Sequence, residues 1–83
     1  YIANTHRRLG RVLRNAGRLD DSLASLARAE QVAQTLDSSE VMADIWLEYA
    51  LTHEARGDYA AALAAQRRRE AAIDEARGAE DRR

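Results

Sequence analysis

Cysteine, proline, phenylalanine and lysine are all missing from this 83-residue chain. Without cysteine there is no disulfide framework and no zinc site built on thiolates, and a reducing, cytoplasmic setting is the expectation. Without proline, only glycine and local side-chain chemistry can interrupt a helix, and there are just four glycines. Without lysine, every one of the 13 basic residues is arginine, set against 14 acidic residues for a net charge of -1. That balance excludes a generally basic surface for nucleic acid or anionic membrane. Arginine without lysine, together with abundant alanine, points to a GC-rich and hence bacterial coding genome. No apolar run approaches the ~20 residues that span a bilayer, so no membrane insertion is expected. The opening Tyr1-Ile2-Ala3 carries no leader pattern and reads as the start of an excerpt. A chain of this size buries only about 60% of its unfolded surface, so the core must be thin.

What is present favours helix nearly everywhere, because Ala, Leu, Arg and Glu lose little on entering one. The breaks are therefore informative. Asn15-Ala16-Gly17 and Arg56-Gly57-Asp58 look like helix ends, closed by glycine in the left-handed conformation. Asp20 or Asp21 is the expected cap of the second helix, and Asp37, three residues before Glu40, has capping-box spacing for the third. Four helices are predicted, at about 2-15, 20-36, 39-56 and 59-77, with 78-83 a charged tail or the start of a linker helix. Expected core stripes are Ile2, Leu9, Val12 and Leu13 on the first helix, and Leu19, Leu23, Leu26, Ala29, Ala33 and Leu36 on the second. The third helix is apolar on more than one face through Val41, Met42, Ile45, Trp46, Leu47, Tyr49, Ala50 and Leu51, and should be the most buried. The fourth opens with Tyr59, Ala60 and Leu63, but beyond them offers only Ile73 as a large aliphatic residue.

An internal repeat organises these helices. Gly17-Arg18-Leu19-Asp20-Asp21-Ser22-Leu23 superposes on Gly57-Asp58-Tyr59-Ala60-Ala61-Ala62-Leu63 at an offset of 40 residues. Hairpins at a fixed period are what helical solenoids use. Gly57, Tyr59 and Ala62 form the Gly-x-Tyr-x-x-Ala opening of a second helix, and the chain here resembles the tetratricopeptide repeat. Trp46 and Ala50 fall where that repeat places its tryptophan and small residue, and Leu9, Gly10, Gly17 and Leu19 fit the matching positions of the first unit. His6, His53 and Ser22 depart from the pattern, no proline closes either unit, and the period exceeds the usual 34 or so, as in the long-helix variety. The resemblance implies an all-α fold: two antiparallel helix-turn-helix hairpins over residues 1-77, about 2-36 and 39-77, stacked as a right-handed repeat. A plain four-helix bundle, or half of a dimeric one, accounts for the same helices.

Chemistry is sparse. His6, His53, Ser22, Ser25, Ser38 and Ser39 form no catalytic motif, His53-Glu54 lacks the second histidine of a helical zinc site, and no glycine-rich loop cradles phosphate. No enzyme, metal or cofactor is expected. Both histidines occupy aromatic packing positions of the repeat, where a partly buried, hydrogen-bonded ring is expected. Gln66-Arg67-Arg68-Arg69-Glu70 reads as a solvated helix face rather than a nucleic-acid site. Arg7, Arg11 and Arg14 project from one side of the first helix, and Asn4 and Arg18 extend the row. By the resemblance, Asn4, Arg7, Arg11, Arg14 and Asn15, with Asp44, Leu47, Glu48, Leu51 and Glu54 on the third helix, would line a groove for a peptide. The other reading is a solvated face with charges paired between neighbouring helices. A protein or peptide partner is thus expected, with self-association, including a swapped fourth helix, as a further route. The last hairpin and its charged helix are also similar to the repeat preceding the signalling helix in bacterial sensors such as diguanylate cyclases and histidine kinases, which would make this a dimerising sensory region.

Overall fold

The computed structural model describes residues 2-81. It contains four helices, α1 (Ile2–Asn15), α2 (Leu19–Leu36), α3 (Ser39–Ala55) and α4 (Tyr59–Asp81). The two longer-range turns close in the same way. Gly17 and Gly57 have φ of 81° and 79°, and the residue after each donates to a carbonyl five back: Arg18 N to Leu13 O at 2.8 Å, Asp58 N to His53 O at 2.9 Å. Only glycine adopts this left-handed turn without steric cost. The turn between hairpins is tighter and uses Asp37 in the left-handed conformation at φ 50°.

Two capping expectations are corrected. The cap of α3 is Ser38, whose side chain accepts from Val41 N, while Asp37 ends α2. Arg18 occupies the cap position of α2 and makes no side-chain cap bond. Asp20 and Asp21 sit instead in the first turn, where carboxylates complement the positive end of the helix dipole, and Asp21 accepts from Arg18 Nε at 2.8 Å. At the start of α4, Asp58 Oδ1 accepts from Ala61 N at 3.2 Å. The fourth helix continues through Gly78 to Asp81.

Each hairpin packs on itself, and α3 also lies against both α1 and α2, so it touches all three other helices, whereas among the described residues the backbone of α4 packs beside α3. The core follows from that arrangement: Leu26, Ala29 and Ala33 of α2 meet Ile45, Tyr49 and Ala50 of α3, with Ala3 and Ala65 at the edges. Alanine dominates because small side chains let helix backbones approach closely. The backbone is only 15 Å deep along its thinnest axis, room for two helix layers packed about 10 Å apart, and several expected core residues therefore face outward. Leu9, Val12, Leu36, Tyr59 and Leu63 are exposed, whereas Leu13, Leu19 and Leu23 are half-buried. The side chain of Ile2 lies outside the described residues.

The tightest approach is at Gly10. A Cβ there would meet Leu26 Cγ and Cδ2 at 2.9 Å, with Leu26 fully buried. Forty residues on, Ala50 fills the equivalent place, and the counterpart of Leu26 is the exposed Gln66, so a methyl group is accommodated. Gly10→Ala should gain about 1 kcal/mol of helix propensity yet lose ~1–3 kcal/mol to overpacking. The expected result is a lower urea midpoint; a raised midpoint would contradict this packing.

Candidate functional site

The two polar rows foreseen on the first and third helices lie side by side, because α1 and α3 are neighbours. They are joined by a charge clasp. Arg11 donates through Nε and Nη2 to Glu48 Oε1 at 3.1 and 2.9 Å, and Arg14 Nη1 donates to Glu48 Oε2. The carboxylate side chain is 2% exposed, against 15% for Arg14 and 49% for Arg11. Glu48 is thus a packing element of α3 and not a free groove residue. The clasp retains one surplus positive charge on the α1 side. Above it, Asn4 Oδ1 accepts from Arg7 Nε at 3.2 Å.

Beside the clasp, Arg14, Asn15, Leu51, Glu54, Ala55 and Tyr59 line an open cleft of about 560 Å3. Four of the expected groove residues come together here, and Tyr59, expected to pack between helices, forms a wall. Leu47 is half-buried. Asp44 stands apart: with Glu40, Ala43, Arg69, Ile73, Ala76 and Arg77 it lines a second cleft, of about 390 Å3, between α3 and α4.

Two buried hydroxyls escaped sequence reasoning. Ser22, a departure from the repeat pattern, donates to Gly10 O at 2.6 Å and meets Thr52 Oγ1 at 3.2 Å, while Thr52 donates to Glu48 O at 2.9 Å. This chain of polar contacts crosses from the first hairpin to the second. Helical spacing alone marks Ser22 and Thr52 as inward-facing, but does not tell which backbone groups they meet.

Along α3 the rings of Trp46, Tyr49 and His53 form a ladder, with centroids 5.0 and 6.1 Å apart, and the Arg68 guanidinium lies 5.0 Å over the indole. The His53 ring is stacked and partly buried, and its Nδ1 is buried without a hydrogen-bond partner. Tyr49 donates to Glu30 Oε2 at 3.2 Å. Burial, and then the adjacent Glu30 carboxylate, push its phenol well above the ordinary value of 10. Among the described residues no three histidine or carboxylate side chains cluster as a metal site, and no helix is long and apolar enough to cross a membrane.

The family model described as tetratricopeptide repeat matches residues 1–75. The chain belongs to the tetratricopeptide repeat family. No curated protein and no solved structure matches it. Gly17 and Gly57 of the repeat close the two hairpin turns, and Gly10, Ala50 and Ala62 are buried as its small positions require. Trp46 is half-buried against the core. Leu9 and Tyr59 depart from packing roles within this pair of repeats, since the faces carrying them meet no neighbouring helix pair.

Removing both arginines from the clasp leaves a carboxylate stranded among packed helices, a defect of about 3–5 kcal/mol when fully buried. Arg11→Ala with Arg14→Ala should therefore cost about 3 kcal/mol in chemical denaturation, and adding Glu48→Met should recover most of it. Failure of the third substitution to restore stability would refute the assignment. For Tyr49 the folded-state value is raised, so its contribution is complete below the unfolded phenol value of 10 and is lost as pH rises toward the folded-state value. Unfolding free energy should decline above pH 10 in the parent, and Tyr49→Phe should remove that share of the decline; identical pH profiles would contradict it.

Proposed function

We propose that this pair of repeats is a protein-interaction module whose α1/α3 surface receives an extended peptide bearing an apolar residue flanked by carboxylates. The observation that carries this reading is the open cleft in which Leu51 and Tyr59 lie exposed beside Arg14 and Asn15. An apolar side chain entering it loses contact with water, while Arg7 and the surplus positive charge of the clasp attract acidic neighbours on the α1 side of the cleft, away from Glu54 on α3. Family membership supports the general role of binding a protein; the acidic character of the peptide rests on the charge arrangement.

A second reading draws on α4. At 23 residues it is the longest helix and outlasts the 17-residue α3 that it packs on. Such an overhang suits a dimerising sensory region that passes a helix displacement to the output domain of a signalling enzyme.

A short labelled peptide of alternating Glu and Leu, and its counterpart with Lys for Glu, separate charge from apolar contact by fluorescence polarisation. The acidic peptide should bind more tightly, weaken with added salt, and lose about tenfold in affinity with Leu51→Ala, the equivalent of ~1.4 kcal/mol. Equal binding of both peptides, or indifference to Leu51→Ala, would overturn the groove assignment.

A further inference from the structure

A third cleft, of about 350 Å3, opens on the face of α3 turned away from the clasp. Trp46 stands in this cleft and Glu48 in the clasp; two residues apart on one helix, they point to nearly opposite sides of it. The backbones of α2 and α4 flank α3 without packing on each other among the described residues, so a furrow runs between them over α3. Its floor carries Met42 and Trp46, and its sides Ala33 of α2 and Ala72 of α4. None of these residues belongs to the clasp or to the cleft beside it.

The furrow is polarised along its length. Helices α3 and α4 form an antiparallel hairpin in which Arg68 covers the Trp46 ring at 5.0 Å, and the same register carries Glu75 to the level of Ser39, at the start of α3. Glu75 is thus about 10 Å along the helix from Arg68. Asp37, which ends α2 just before Ser38 and Ser39, lines the furrow at that end as well. Among the described residues the carboxylates of Asp37 and Glu75 have no hydrogen-bond or ion-pair partner, and the Arg68 guanidinium has only the indole it covers. The N-terminus of α3 contributes about half a positive charge there, which two full carboxylates outweigh. All three charged residues are exposed and free to turn toward a ligand. One end of the furrow is therefore negative and the other positive, with apolar side chains between.

From this we infer that the furrow between α2 and α4 takes an extended segment of a protein partner in which apolar residues separate a basic side chain from an acidic one. The basic side chain pairs with Asp37 and Glu75, an apolar one covers Met42 and Ala72, and the acidic one meets Arg68. An extended chain rises about 3.3 Å per residue, so charges three residues apart match the ~10 Å between the two ends. Burial of the apolar side chain supplies affinity, and the two charged ends supply selectivity. A uniformly acidic or uniformly basic segment would set like charges together at one end. The inference is independent of the acidic-peptide reading, whose cleft lies on the other side of α3.

Trp46 is the single tryptophan of the chain, so its fluorescence reports on this furrow. Titration of the whole chain with acetyl-Arg-Ala-Leu-Glu-amide should change the emission saturably, while the Glu-Ala-Leu-Glu and Arg-Ala-Leu-Arg versions should bind several-fold more weakly. Arg68→Glu makes the furrow acidic throughout and should reverse the order, so that Arg-Ala-Leu-Arg binds best. Asp37→Asn/Glu75→Gln should weaken the mixed-charge peptide several-fold, and asparagine tolerates the left-handed conformation of Asp37. Leu51→Ala, in the other cleft, should leave this binding unchanged. Circular dichroism verifies that each variant keeps its helices, and the comparison of three peptides on the parent needs no variant at all. Emission that stays constant up to millimolar peptide, or equal affinity for the three peptides, would overturn the inference. So would an order of affinities that Arg68→Glu does not alter, indifference to the carboxylate substitutions, or a loss of binding caused by Leu51→Ala.

Discussion

A carboxylate removed from water must be compensated, and Glu48 of α3 finds its compensation on α1. The two guanidinium groups that hold it belong to the first hairpin, so the third helix is fixed in rotation as well as position. Rotating α3 by even part of a turn would leave the charge unpaired in a packed layer, which hydrophobic contacts alone, being non-directional, would not prevent. With that orientation set, Ile45 and Tyr49 face the alanine-lined seat of the first hairpin, Trp46 meets Arg68 of α4, and Leu51 is left open beside the arginines. The same clasp therefore joins the hairpins and borders the open cleft.

Much of this was legible in the sequence because glycine and alanine report backbone geometry directly. Gly17 and Gly57 mark turns that require a left-handed residue, and Gly10 marks a close helix approach. The central place of the third helix was visible in its apolar residues on several faces. Periodicity failed at Leu9, Val12, Leu36, Tyr59 and Leu63, for a physical reason: it shows which side of a helix is apolar, not whether another helix covers that side. In a slab this thin the outward apolar stripes stay open.

The charged groove row was recognisable from the spacing of Arg7, Arg11 and Arg14, but its state was not. Helical spacing places Glu48 on the same surface as Asp44 and Leu51, yet only the packing of α3 against α1 shows that this one carboxylate is buried while its neighbours remain in solvent. Arg11 and Arg14 are engaged between helices, and Arg14, Asn15, Leu51 and Glu54 border an open cleft. Asp44 faces elsewhere because the cleft between α3 and α4 takes it.

The central claim is that the clasp and the hydroxyl contacts make the two hairpins one cooperative unit rather than two hairpins that happen to touch. Native-state hydrogen exchange under increasing denaturant reads this directly, since amides that open together converge on one unfolding free energy. The account predicts that the central amides of α2 and α3 merge into a single isotherm. Separate isotherms for the α1–α2 and α3–α4 hairpins would contradict it.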